Sequence, residues 1–215
     1  MAILDDISMA VQRGKRKDVK KLVEQAIAEG IAPAEILEKG LLSAMDVIGP
    51  KFRDGEIFVP EVLVAARSLN AGSEILKPLL AEGAEPLGKA VIGTVKDDMH
   101  DIGKNLVRMM VEGKGIDITD LGVDVETEKF VEFLKENPDT DLVLLSALLT
   151  TTMPRLKEVI DAITDAGLRD SVIIMVGGAP VTQEFADEIG ADAYTPDCGS
   201  CSMKAAELLR AKKGK

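Results

Sequence analysis

Over the first 85 residues the apolar positions recur at helical spacing. Val19, Leu22, Val23, Ala26 and Ile27 follow i, i+3, i+4, i+7, i+8, which is one face of an α-helix. Gly30 supplies a stop, and Pro33 can open the next helix, where its missing N–H is harmless. Leu37, Leu41, Ala44 and Ile48 share the following face. The stretch GPKFRDGEIFVPE (49–61) carries Gly49, Pro50, Gly55 and Pro60, and reads as a turn-rich break before a last helix with Val62, Leu63, Ala66 and Leu69. Helix after helix joined by short breaks predicts a four-helix bundle over 1–85.

AEGAEPLG (81–88) reads as a linker, and beyond it the period changes. KAVIGTV (89–95), IDITDLG (116–122), DLVLLSAL (141–148), SVIIMVGG (171–178) and ADAYTP (191–196) are short β-rich runs that end in polar or glycine residues. Helical segments at 101–114, 126–137, 152–166, 181–190 and 199–212 separate and follow them. Such alternation predicts an α/β unit over 86–215, a doubly wound parallel five-stranded sheet with helices on both faces.

Composition and charge narrow the function. A hydrophobic fraction of 46% supports a packed core without disulfides. Aromatics make up 3% and Trp is absent, which speaks against stacking platforms for single-stranded nucleic acid. The formal net charge of -11 repels phosphate backbones and anionic lipid heads, so neither nucleic acid nor a membrane is an expected partner. It suits docking onto basic patches of another protein. No run reaches the roughly 18 apolar residues of a membrane span, and MAILDDISMAVQRGKRKD lacks the features of a secretory signal. Two cysteines, Cys198 and Cys201, are too few for a disulfide framework, and a cytoplasmic location is expected.

In sheets of this type ligands bind beyond the carboxyl ends of the strands, near the switch in strand order. That rule selects Lys96–Gly103 after the first strand, SALLTTTMP (146–154) after the third and GGAP (177–180) after the fourth. The first holds the only histidine, His100, between Asp98 and Asp101. A metal-bound histidine usually gives its other N–H to a carboxylate, and Asp98 is placed to accept it. The same spacing also fits a plain loop ion pair or a histidine general base. A zinc site would need further ligands that the chain does not offer, so a metal already held by a macrocycle fits better.

DMHDIGKN (98–105), followed by SAL (146–148) and GGA (177–179), resembles the cobalamin-binding domain of corrinoid methyltransferase systems. GLLSAMDVIGPKFRDGEIFVPEVLVAARSLNAG (40–72) resembles the helical cap that precedes it in that family. The chain is similar to the corrinoid proteins that serve methylamine, methanol, betaine and methoxyaromatic methyltransferases, and to the cobalamin-binding region of methionine synthase.

This resemblance implies a Rossmann-like (flavodoxin-like) domain that binds cobalamin or a related corrinoid base-off, its dimethylbenzimidazole buried beside the sheet. His100 would be the lower axial ligand of cobalt, with Asp98 hydrogen-bonded to it. Thr152 would extend the relay, standing where methionine synthase has serine. Met99, Asp101 and Gly103 belong to the same cofactor-binding loop, and Asp97 occupies a position that is usually glycine. Ser146, Leu148, Thr150, Gly177 and Gly178 would line the slot for the nucleotide tail, with Tyr194 and Asp197 near it. Phe52 and Val59 of the cap would shield the methyl face.

The implied function is a carrier and not a complete enzyme. It would shuttle between Co(I) and methyl-Co(III), taking a methyl group from a substrate-specific methyltransferase. A methylamine or related compound is the expected donor. A second methyltransferase would pass the group to a thiol or to tetrahydrofolate, and a reductive activator would rescue Co(II). The cap would have to move, with its hinge at 81–88.

The competing readings are a cobalamin-binding subunit of a mutase, a cobalamin-dependent regulator, and a cofactor-free signalling domain. CGSC (198–201) has the spacing of a redox pair, but its place near the chain's end favours two small residues packed at a helix start.

Overall fold

The computed structural model describes residues 2–80 and 86–214; the first part of the expected 81–88 linker, and so its hinge, lies outside them. The described residues fall into two compact units, one up to Leu80 together with 113–115, the other comprising the rest from Pro86 onward.

The first unit is helical. Its elements are α1 (Ala2–Gln12), α2 (Arg16–Ala28), α3 (Pro33–Glu35), a π-helical segment (Ile36–Leu42), α4 (Ser43–Arg53) and α5 (Val59–Leu80). Because α3, the π segment and α4 run on without interruption, the unit has four helical rods. α1 packs on α2, the π segment, α4 and α5, while α2 packs on α5. Ile7, Val11, Val19, Val23, Ile36, Leu41, Met45, Val62 and Leu76 fill its core.

Two expectations shift here. The π segment inserts an extra residue per turn, so Ile36 becomes fully buried where Leu37 was expected, and Leu37 is only half-buried. The break expected over 49–61 shrinks to 54–58, because α4 continues through Pro50 to Arg53 and α5 begins at Val59. Pro60 sits at the second position of α5, where a backbone N–H would have no intrahelical partner anyway.

The second unit is a five-stranded, wholly parallel sheet in the order β2-β1-β3-β4-β5. Its strands are β1 (Gly88–Thr94), β2 (Ile116–Asp120), β3 (Leu142–Ser146), β4 (Ile173–Gly177) and β5 (Ala193–Tyr194). The intervening helices are α6 (Ile102–Glu112), α7 (Thr127–Glu136), α8 (Met153–Asp165), α9 (Gln183–Glu188) and α10 (Cys198–Lys213). Most expected segments are one to three residues longer than these, since apolar character extends past the last ladder hydrogen bond. Ser171, expected in the fourth strand, instead ends a 3-10 turn (Arg169–Ser171).

Alternation along the strands sorts side chains to two faces. Val91, Val143, Leu145, Ile174 and Val176 join Phe130, Leu156, Val159 and Ile163 in one core cluster. Ala90, Ile92, Leu142, Leu144 and Met175 join Val111, Cys201, Ala205 and Leu209 in the other. Gly93 makes room for Phe130, whose ring would come within 2.7 Å of a Cβ there. Strand order reverses between β1 and β3, so the crevice at their carboxyl ends is the switch point.

Candidate functional site

The loops that leave β1 and β3 meet at one buried carboxylate. Asp98 has no solvent exposure. Its Oδ1 accepts the His100 backbone N–H at 3.1 Å and lies 2.7 Å from His100 Nδ1. Its Oδ2 accepts the Leu148 N–H at 2.7 Å and lies 2.7 Å from Thr152 Oγ1. The Leu149 N–H approaches the same oxygen at 3.4 Å. Burial alone would raise the pKa of Asp98; the donors from Leu148, Thr152 and His100 outweigh it and hold the carboxyl well below the usual carboxylate range.

An ionised carboxylate only accepts hydrogen bonds, so His100 Nδ1 carries the proton of the 2.7 Å contact. That assigns the tautomer and leaves Nε2 as the available ring nitrogen. The His100 side chain is 49% exposed. From inside the sheet, buried Thr94 donates its hydroxyl to the His100 carbonyl at 2.9 Å. The same two loops and the start of α6 carry exposed apolar side chains: Met99 (70%), Ile102 (74%), Leu148 and Leu149.

Of the residues expected from sequence, Asp98, His100 and Thr152 are joined by side-chain hydrogen bonds, and Leu148 joins them through its backbone. Ser146 stands in register with Gly177 and with Thr94, on the adjoining strand ends. Gly178 has φ +136°, and a Cβ there would fall 1.8 Å from the Ala147 carbonyl oxygen. That glycine is therefore required by a close backbone approach within the chain itself. Gly177 is more open: a Cβ there would meet nothing nearer than the Thr195 carbonyl oxygen at 3.9 Å.

The remaining expected residues make other contacts or are described by their burial alone. Asp101 does not flank the imidazole as a second carboxylate partner; it accepts the Asn105 side chain at 3.2 Å. Asp97 turns to Arg155 on α8. Met99, Gly103 and Thr150 are exposed. Phe52 and Val59 are half-buried in the helical unit. Tyr194 is half-buried at the end of β5, and Asp197 caps α10 by accepting the Ser200 N–H at 2.9 Å.

Sequence reasoning missed Thr94, Asp124, Arg155 and the ion pair of buried Lys104 with Asp120. A lone threonine ending the apolar run of β1 was a usable signal for Thr94. Asp124 and Arg155 act through side chains in loops and first turns, where no periodicity marks them.

The fit to a macrocycle-held metal rests on this donor set. Among the described residues no group of three or more His, Cys, Asp or Glu side chains gathers to hold an ion. One aimed imidazole at an open strand end is a donor set that would suit a metal whose other ligands come from its own macrocycle. The fold and site thus define a flavodoxin-like cofactor-binding unit with its site at the β1/β3 switch point. Family models described as B12 binding domain match residues 88–197 and, separately, 3–77. The chain is 43% identical over 209 residues to dimethylamine corrinoid protein 1 of Methanosarcina acetivorans, covering 96% of this chain and 97% of that protein. It is similar to the monomethylamine corrinoid protein of Methanosarcina barkeri, with 35% identity, TM-score 0.56, and coverage of 96% and 98% of the two chains. It also matches a chain of the methanol:cobalamin methyltransferase complex MtaBC from Methanosarcina barkeri, with 27% identity, TM-score 0.86, and coverage of 97% and 80%. The chain belongs to the B12-binding corrinoid proteins of methyltransferase systems.

Proposed function

We propose that this protein carries a methyl group on the cobalt of a corrinoid bound base-off, with His100 as lower axial ligand. It moves between a substrate-specific methyltransferase and a second methyltransferase acting on a thiol or tetrahydrofolate, and is not catalytic alone. The observation that carries this reading is the 2.7 Å contact between a half-exposed imidazole and a fully buried, ionised Asp98. A methylamine is the proposed donor, since relatives 43% identical over 208–212 residues are dimethylamine corrinoid proteins.

When bound, the corrinoid supplies a cobalt centre that can accept and release a methyl group. The chain's own residues hold and tune. Asp98 fixes the His100 ring, keeps the proton on Nδ1 and leaves Nε2 for the metal. Thr152 and the Leu148 N–H hold Asp98 ionised, so the ring's partner stays an acceptor. Met99, Asp101 and Gly103 are assigned to the cofactor-binding loop that carries His100. Ser146, Leu148, Thr150, Gly177 and Gly178 are assigned to the slot for the nucleotide tail. Residues 86–215 are the cofactor-binding half and 1–85 the cap, with Phe52 and Val59 excluding water from the methyl face. A reductive activator is the third expected partner. No helix among the described residues is long and apolar enough to cross a membrane, and we assign the protein to the cytoplasm.

The test is reconstitution with methylcobalamin, with absorption spectra of the wild type and of His100→Ala. The wild type is expected to bind in the histidine-ligated, base-off form, and the variant to lose the nitrogen ligand while still binding. A wild type that takes up corrinoid with its own benzimidazole still on cobalt would overturn the assignment of His100.

A further inference from the structure

Asp97 precedes the carboxylate that holds His100, yet its own side chain points elsewhere. Its φ is +67°, in the left-handed region where a Cβ is crowded and glycine is at ease. Two contacts hold it there. Its N–H donates to Asp124 Oδ1 at 2.8 Å. Its Oδ2 accepts from Arg155 Nη2 at 2.7 Å and Nε at 3.2 Å.

Arg155 lies in the first turn of α8, three residues after Thr152, and is itself steadied by Glu158 at 2.8 Å. The first turn of α8 therefore grips two consecutive residues of the β1–α6 loop: Thr152 takes Asp98 and Arg155 takes Asp97. Asp124 closes a third side, donating its N–H to the Asp98 carbonyl at 2.9 Å while Lys96 pairs with its carboxylate at 3.1 Å. Among the described residues, Asp98 is the one side chain bonded to the imidazole.

We propose that Arg155, acting through Asp97, is a positioning residue that fixes the His100 loop to α8, so that Nε2 meets a bound corrinoid with a single aim. The inference rests on the reading of His100 as the cobalt ligand. A part-exposed ion pair adds little to global stability, so its leverage is local. The ring itself has one hydrogen bond, to Asp98, while its loop is held by Thr94, Leu148, Thr152 and Asp124. The Arg155–Asp97 pair adds an anchor one residue before Asp98, at a left-handed residue, and small errors of aim matter most at a ligand.

The experiment loads cob(II)alamin into the wild type, Arg155→Ala, Arg155→Lys, Asp97→Gly and the Asp97→Gly/Arg155→Ala double variant. Electron paramagnetic resonance at one fixed pH reads the ratio of nitrogen-ligated to unligated cobalt, and the Co(II)/Co(I) midpoint potential is recorded alongside. Arg155→Ala is expected to lower that ratio by about two- to five-fold and to shift the potential, and Arg155→Lys to recover part of both. In the Asp97→Gly background, Arg155→Ala should add nothing, since its partner is already gone. In the cofactor-free protein, Arg155→Ala should speed amide exchange at Asp97 and His100 by a similar factor while amides of β1 and β3 hold their rates. This second readout separates a loosened loop from a poorly folded chain.

A wild type with nitrogen-ligated cobalt and an Arg155→Ala variant identical to it in ratio, potential and exchange would overturn this proposal and leave the ligation reading standing. A wild type without nitrogen lines would overturn both.

Discussion

Asp98 at the end of β1 and the two thiols at the start of α10 face the same penalty and meet it differently. All three groups are buried, and burial disfavours the charged form of each. Around Asp98, two backbone N–H groups, a hydroxyl and an imidazole N–H point at its oxygens and reverse the penalty. Around Cys198 nothing comparable does: burial, then the nearby charges of Asp197 and Cys201, push its pKa up to about 12. Cys201 is pushed up to about 11 by burial, against which a contact to Thr195 counts for little. A motif proposes chemistry; the donors that surround it decide the charge state. The D-x-H-x-x-G segment therefore presents an ionised, aimed pair, and the C-x-x-C segment two buried, protonated thiols, of which Cys201 packs on the sheet.

The largest expected effect tests the first half of that contrast. Asp98→Ala strands the Leu148 and His100 donors in a buried site and should cost about 3 kcal/mol of stability. Asp98→Asn probes the charge itself. The pKa of Asp98 lies below its ordinary value near 3.8, so the unfolded chain takes up the proton first as pH falls. Its stabilisation is therefore complete above about pH 4 and declines below it, by about 1.4 kcal/mol per pH unit. Urea unfolding from pH 6 down to pH 3 should show this acid slope reduced in Asp98→Asn. An unchanged slope would mean that Asp98 is not held ionised.

The thiols provide the matching test. At pH 8 an ordinary thiol is about one-quarter ionised, while one with a pKa of about 11 is ionised to about one part in a thousand. Iodoacetamide should therefore label Cys198 and Cys201 at least about 100-fold more slowly in the folded protein than in urea. Labelling at the rate of free thiols would restore CGSC as a candidate redox pair and break the contrast.

Thr152 sharpens the comparison from the donor side. Thr152→Ala removes a hydrogen bond to a charged acceptor and should cost about 2 kcal/mol. It should also end the acid slope at a higher pH, because the folded-state pKa of Asp98 rises toward its unfolded value while the onset, set by the unfolded chain, stays where it is. Thr152→Ser keeps the hydroxyl and gives up one buried methyl, for about 1 kcal/mol or less. If the serine variant behaved like the alanine one, the methyl packing of Thr152 would matter more than its hydrogen bond.

Sequence periodicity carried the architecture because burial writes it directly. The β-rich runs KAVIGTV and DLVLLSAL return as strands that feed two separate core faces, and the strand-end rule selected the loops that hold Asp98, His100 and Thr152, with the resemblance singling out Thr152 among the hydroxyls. It failed where geometry depends on a single inserted residue or one side chain's turn. The π segment at Ile36–Leu42 puts Ile36 in the core in place of Leu37, while Leu41, Ala44 and Ile48 are buried as expected, and no residue type announces such an insertion. Asp101 adjoins His100 in sequence and would suit a second partner, but α6 begins at Ile102 and its carboxylate serves Asn105. Asp97 looked like an extra carboxylate for the cofactor loop; a left-handed backbone and Arg155 turn it toward α8.

A similarly small effect belongs to Cys201. It packs against Leu144, Met175, Ala205 and Leu209 on the face of the sheet remote from the α8 core. Cys201→Ala removes one buried sulfur and leaves a gap beneath a well-packed helix, which should cost about 1 kcal/mol in urea unfolding. A side chain that only fills space should leave corrinoid uptake and the histidine-ligated spectrum at wild-type values. If Cys201→Ala lost the cofactor while keeping its fold, packing alone would not account for it. The thiol end of the sheet would then have a part in binding, and the contrast with Asp98 would become one of two roles in one site.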